Sequence, residues 1–138
     1  MDNLKLENQI CFPLYACSKE IIKRYKPFLD QIDLTYTQYI TMMVLWEKKK
    51  ANVKTLGEYL FLDSGTLTPV LKKLESKGFI KRERNASDER NLEVTITSAG
   101  EKLKDDALSI PENIGSCVRL TQEEAKTLYK LLYKVIGN

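Results

Sequence analysis

Three cysteines and no histidine limit what the side chains of this chain can do. Without an imidazole there is no Cys–His or Ser–His pair for nucleophilic catalysis, and the lack of a CxxC pair all but excludes a zinc site. No catalytic residue, metal or cofactor is expected, and the chain reads as a non-enzyme. Thiol redox chemistry remains. Cys11 has tyrosines nearby in sequence. A sensing thiol has to be reachable and partly ionised. In a chain without histidine, the anion must be favoured by a helix N-terminus or by hydroxyl donors, and phenols are such donors. Phe12, Met42, Met43 and Trp46 offer an apolar surface for an organic group; the plainer reading makes them core and makes Cys11 a small packed residue. Cys17 cannot pair with Cys11 inside one helix, because six residues span about 9 Å and a disulfide needs Cα atoms within about 7 Å. Cys17 is therefore expected to be packed.

A second group of residues has another chemistry. Between positions 64 and 90 there are seven basic and four acidic side chains, a surplus equal to the net charge of +3 of the whole chain, so the positive field is local. Ser64, Thr66, Thr68, Lys72 and Lys73 fall on one face of a predicted helix. Hydroxyls can bond bases or phosphates, and lysines mostly bind phosphate. With no Arg, Asn or Gln on that face, bidentate base reading is thin, and DNA shape should carry part of any preference. Arg90, at the base of a loop with Arg84 opposite, is expected to reach a minor groove, and Asp88 to orient Arg90. The alternative is a solvated charged face beside a hairpin.

Helices dominate the frame that must hold these groups. Residues 13–30 have apolar spacing near 3.6, with Pro13 in a first turn and Pro27 near a kink or an end; residues 4–12 are a separate turn or an arm. Residues 35–48 are apolar on most sides and should form the central core helix. Val53, Leu56 and Leu60 mark a short third helix, and Phe61, Leu62 and Asp63 a turn. Asp63 or Ser64 then caps a fourth helix whose Leu67, Val70, Leu71 and Leu74 face inward. Pro69 removes a bond to Gly65, which predicts an irregular or bent first turn. Gly78 ends this helix. Strands are expected over 79–84 and 92–97, joined by the polar loop NASDERN. The remainder is helical, broken at Pro111 and near Gly115. Thr121 and Glu124 form a capping box for a last helix with a broad apolar stripe through Leu128, Leu131, Leu132, Val135 and Ile136.

At 138 residues, 43% hydrophobic and 30% charged, the chain suits one ordinary domain. No apolar run approaches a transmembrane length, and the first ten residues lack the order of a signal peptide, so no membrane association and a cytoplasmic location are expected. Three widely spread cysteines do not make a secreted disulfide framework.

The segment LDSGTLTPVLKKLESKGFIKRERNASDERNLEVTITSAG resembles the core of a MarR-type winged-helix regulator. LENQICFPLYACSKEI with YKPFLDQIDLTYTQY resembles its organic-hydroperoxide-sensing, OhrR-type branch. The resemblance covers nearly the whole chain. It implies a mainly α fold with a small β-hairpin: a winged helix-turn-helix over 33–97, flanked by dimerisation helices at 1–32 and 98–138, in a single domain. It also implies a homodimeric repressor on a pseudo-palindromic double-stranded DNA operator, with Cys11 as the redox-sensing thiol and an organic hydroperoxide as oxidant. By the same resemblance Tyr25 and Tyr36 bond the thiol, one of them from the other subunit, with Tyr15 a further candidate. The sulfenic acid would be trapped either by Cys117 of the other subunit or by a low-molecular-weight thiol. Pro13 departs from the apolar residue expected beside the sensing cysteine. Three rivals stand against this reading: a MarR-type repressor released by a small phenolic ligand, a thiol peroxidase, and a winged helix used only for protein contact. The peroxidase lacks its PxxxTxxC motif here.

Overall fold

In the computed structural model, residues 2–85 and 88–137 are described, the side chains of 85 and 88–91 excepted. A 3-10 turn at Leu6–Asn8 leads into α1 (Cys11–Asp30) and α2 (Tyr36–Lys48). Then come β1 (Lys50–Asn52), α3 (Val53–Leu60), α4 (Ser64–Ser76), β2 (Ile80–Asn85) and β3 (Asp88–Ile96). The chain closes with α5 (Ser98–Ala107), α6 (Ile110–Cys117) and α7 (Gln122–Ile136). The three strands form an antiparallel sheet in the order β1-β3-β2.

Local chemistry sets most helix starts. Thr35 and Gln38 form a reciprocal capping box at α2, as do Thr121 and Glu124 at α7. The side chains of Asn52, Asp63 and Thr97 accept the N–H of Thr55, Thr66 and Gly100 at the starts of α3, α4 and α5. The hydrogen bond from Thr66 holds the Asp63 carboxyl below the usual carboxylate range. Gly78, at φ 85, ends α4 in a Schellman turn: its N–H reaches the Glu75 carbonyl, and that of Phe79 reaches Leu74.

The core lies where α2, α3, α4 and the sheet meet. Met42, Leu45, Leu56, Leu67, Leu71, Leu74, Ile80 and Val94 are buried there, and α5 and α6 add Leu103, Ala107, Ile110 and Ile114. The expected inward face of α4 is thus the buried one. The two terminal helices differ: α1 buries only Leu29 and α7 buries nothing, leaving Ile10, Phe12, Tyr129, Leu131 and Val135 exposed.

Several sequence expectations need correction. A third strand, β1, went unread, because Lys50–Asn52 carries no strand pattern and exists through its pairing with 93–95. α1 starts at Cys11, two residues before Pro13, since a proline in the first turn loses no helical bond. α4 is helical from its first residue in spite of Pro69. The Asp63 cap closes the first turn, Leu67 donates to the Asp63 carbonyl at 2.9 Å, and Pro69 stands on the exposed side. Residues 88–91, read as loop, belong to β3, with a register irregularity at Arg84/Asn85. The C-terminal breaks lie at 108–109 and 118–121. Pro111 sits in the first turn of α6, where it is tolerated, and Gly115 lies inside that helix.

Candidate nucleic-acid interface and thiol site

α3 and α4 are joined by a turn in which Phe61 takes a left-handed conformation, φ 55, and the β2–β3 hairpin follows α4. Ser64, Thr66, Lys72 and Lys73 are exposed on α4, whereas Thr68 is half-buried at the edge of the packed face. Pro69 belongs to the exposed face, one turn from both Gly65 and Lys73, and was read in the sequence only as a helix fault. Lys54, also unread, lines a cleft with Ser64 and Leu92. The signal for it was the Asn52 cap, which puts Lys54 in the first turn of α3.

Not every basic residue of the 64–90 window points to solvent. Arg82 is held by Glu75: Nη2 to Oε1 is 2.9 Å, Nε to Oε1 is 3.2 Å, and the Arg82 main-chain N–H reaches Oε2 at 3.0 Å. These bonds pull the Glu75 carboxyl below its usual range and fasten α4 to the wing. Arg84 is exposed, and its partner in register is Leu92 rather than Arg90. The side chains of Asp88 and Arg90, and so their expected pairing, lie outside the described residues.

The thiol residues separate along α1. Cys11 is exposed in the first turn, a place where unpaired backbone N–H groups favour negative charge. Tyr15, exposed, sits one turn further on with the Lys19 ammonium 5.2 Å from its ring centroid. Tyr25 and Tyr36 come together at the opposite end, ring centroids 4.9 Å apart, with Tyr39 beside both. Burial, and then the neighbouring phenols, push Tyr25 up to about 12; burial raises Tyr36 and Tyr39 too. Fourteen helical residues place Tyr25 about 21 Å along the axis from Cys11 of the same chain. Tyr36 is packed on Tyr25, so neither phenol can bond the chain's own Cys11. The structure thus brings Tyr25 and Tyr36 together but places neither beside the Cys11 of the same chain.

Cys117 is half-buried at the end of α6, and its carbonyl accepts a bond from Arg24 Nη1 at 3.2 Å. Arg24 is about 20 Å along α1 from Cys11, so a disulfide within one chain is out of reach. Cys17, expected to be packed, is exposed instead, because this stretch of α1 buries nothing within the chain. Met42 and Trp46 are core residues, while Phe12 and Met43 are exposed. An apolar groove of about 520 Å³ runs between α1 and the start of α2, floored by Ile22, Leu29 and Leu34 and rimmed by Lys19, Lys23 and Lys26.

A capped helix pair, an exposed second helix with hydroxyls and lysines, and a hairpin fastened to that helix define a winged-helix transcriptional regulator. A family model, Staph_reg_Sar_Rot, described as transcriptional regulator SarA/Rot, matches residues 23–107, and the chain belongs to that family. The organic hydroperoxide resistance transcriptional regulator of Bacillus subtilis (strain 168) is 46% identical over 135 residues, 98% of this chain and 92% of that protein. Among solved structures, reduced AbfR bound to DNA is 37% identical with a TM-score of 0.78, covering 96% of this chain and 92% of that one. AbfR is a Staphylococcus epidermidis protein. Its disulfide-formed structure matches less well, with a TM-score of 0.68. Escherichia coli MarR, as a cysteine-to-serine mutant complexed with operator DNA, gives 0.83 at 25% identity over 95% of this chain and 98% of that one. The MarR-type resemblance and the fold expected from it are borne out. Among the described residues no helix is long and apolar enough to cross a membrane, and no cluster of three or more His, Cys, Asp or Glu could hold a metal ion.

Proposed function

We propose that the chain is a cytoplasmic, homodimeric repressor that binds a pseudo-palindromic operator when reduced and releases it when an organic hydroperoxide oxidises Cys11. The observation that carries this reading is an exposed thiol in the first turn of α1 with a half-buried phenol pair about 21 Å along the same helix. A two-fold dimer with crossing α1 helices brings the Cys11 end of each chain to the Tyr25–Tyr36 end of the other, so both phenols act in trans. The apolar surfaces left open on α1 and α7 (residues 1–32 and 98–138 are the proposed dimerisation segments) are of the kind that association covers.

The chemistry follows from the thiol. The Cys11 thiolate attacks the terminal peroxide oxygen, the O–O bond breaks, the sulfur becomes a sulfenic acid, and the departing alkoxide takes a proton from water to leave as the alcohol. A second thiol, Cys117 of the partner subunit or a small cellular thiol, then condenses with it, forming the S–S bond and releasing water. DNA is held by Ser64, Thr66, Thr68, Lys72 and Lys73 from α4, with Arg84 and Arg90 of the wing at the minor groove and Asp88 orienting Arg90. AbfR, solved on DNA in its reduced form and also with a disulfide formed, supports a redox role for this scaffold.

A second reading has one observation in its favour. The groove above Leu29 and Leu34, rimmed by three lysines, suits a small aromatic carboxylate, as a phenolic-ligand-released repressor requires. Fluorescence anisotropy of a duplex from upstream of the protein's own gene separates the two. Release by cumene hydroperoxide, reversal by dithiothreitol and loss of both in Cys11→Ser support the redox reading. Release by salicylate without oxidant, or oxidant-driven release that survives Cys11→Ser, sinks it.

A further inference from the structure

Lys77 is the last residue attached to α4 and the only one of its lysines drawn back into the protein among the described residues. Its side chain is 19% exposed, whereas Lys72 and Lys73 are open to solvent. The ammonium donates to the main-chain carbonyl of Asp33 and, at 3.3 Å, to the side-chain oxygen of Gln38, with the Asp33 carboxylate 3.5 Å away. Asp33 lies in the α1–α2 connection in a left-handed conformation, φ 54. Gln38 is buried, and the same oxygen accepts the Thr35 N–H at 3.1 Å as half of the box that starts α2.

Tyr36 is the first residue of α2, between Thr35 and Gln38, and it packs on Tyr25. One helical turn thus carries both a phenol of the pair and the acceptor of Lys77. Elsewhere α2 and α4 meet through apolar side chains, whose attraction is non-directional and allows sliding. The Lys77 ammonium, on a side chain 19% exposed, is different. Its acceptors are fixed in direction, and leaving it unpaired is costly. α4 is a rigid rod, so its C-terminal anchor also sets the pose of Thr66, eleven residues or about 17 Å away.

We infer that Lys77 is the positioning residue that ties the turn bearing Tyr36 to the DNA-reading helix, so that a disturbance at the phenols is passed to α4 through the Lys77–Asp33–Gln38 bonds. This rests on the redox reading above. A residue that merely stabilised the fold would weaken DNA binding equally in the reduced and oxidised states. A link between the two sites changes the ratio of those affinities.

The test uses full-length Lys77→Met, Lys77→Arg and wild-type dimers. Operator affinity is measured before and after cumene hydroperoxide, with sulfenic acid at Cys11 trapped by dimedone and followed by mass spectrometry. Hydrogen bonds to a charged group are worth on the order of a tenfold change in equilibrium, so the oxidised-to-reduced ratio of dissociation constants should shrink by about that factor in Lys77→Met. Cys11 should oxidise at the wild-type rate, and Lys77→Arg should keep the wild-type ratio. Lys77→Met dimers that release DNA with the full wild-type ratio overturn the inference and leave the redox reading standing. Wild-type protein that is oxidised at Cys11 yet keeps its DNA overturns both. Should Lys77→Met not fold by its melting curve, Gln38→Met removes the side-chain acceptor from the other end and is judged by the same ratio.

Discussion

Tyr25 and Tyr36, from different helices, meet with ring centroids 4.9 Å apart and planes inclined at 58°. The pair belongs to one chain, and in the proposed redox mechanism its thiol counterpart is the Cys11 of a second chain. Mixed dimers test this directly, with one subunit carrying Cys11→Ser and the other Tyr25→Phe and Tyr36→Phe. The one remaining Cys11 then faces the intact phenols of its partner, and its rate of sulfenic acid formation should match a dimer with one Cys11→Ser subunit. Slow oxidation in the mixed dimer would mean that the phenols act in cis.

The same tyrosines make an alkaline prediction. Tyr25 titrates at about 12 in the fold, above the ordinary phenol near 10. A raised folded value means that the neutral form is favoured by folding. Its contribution is fully present below about pH 10 and is lost as pH rises through 12. Tyrosinate absorbance should therefore show a late phase, from the buried tyrosine cluster, that coincides with loss of helix signal. A single phase near the ordinary phenol value would contradict the burial of the cluster.

At the acid end the sign is reversed. Glu75 is held low by Arg82, and Asp63 by the Thr66 N–H. Their stabilisation is present above the ordinary carboxylate range and is lost as pH falls through the depressed folded values. Glu75→Gln should cost about 1 kcal/mol at neutral pH, a modest figure because solvent screens the pair, and should leave a smaller acid-dependent loss in urea titrations. An unchanged acid profile would remove the Glu75–Arg82 link from the account of the wing.

Gly100 provides a packing test. A Cβ there would run into the Phe79 carbonyl and come within 2.8 Å of Ile96 Cγ1, while the Gly100 carbonyl accepts the Trp46 indole N–H at 2.8 Å. Gly100→Ala should destabilise by about 1–3 kcal/mol through overpacking, read as a lower urea midpoint. An alanine variant as stable as wild type would show that the join between wing and α5 can shift at little cost.

For DNA, Lys72→Ala and Lys73→Ala should each make the slope of log K against log salt shallower by about 1.8 for the dimer, about 0.9 for each of the two lysines lost, if each lysine neutralises one phosphate. The salt slope of Lys77→Ala should not change, since that ammonium is turned toward Asp33 and Gln38.

Much of this fold was legible because its signals are local. The Thr121–Glu124 box, the Asp63 cap, the Gly78 stop and the inward Leu67, Val70, Leu71 and Leu74 each depend on residues a few positions apart. The misreadings had one non-local and one local cause. β1 exists only because 93–95 pairs with it. Pro69 weighed too heavily because a proline is penalised by its type, whereas the Asp63 cap and the exposed position let the helix run through it.

The candidate residues divide in the same way. The absence of histidine, the position of Cys11 near a helix start and the basic run after Ser64 were properties of the chain alone, and they limited the chemistry to a thiol and a phosphate-binding surface. Tertiary structure decided which groups meet. It paired Tyr25 with Tyr36 and put both a helix length from Cys11, gave Arg82 to Glu75, and turned Lys77 back to Asp33 and Gln38. The physical reason is range: helix caps and periodicity act over three or four residues, whereas desolvation and hydrogen-bond partners depend on elements brought together from distant parts of the chain.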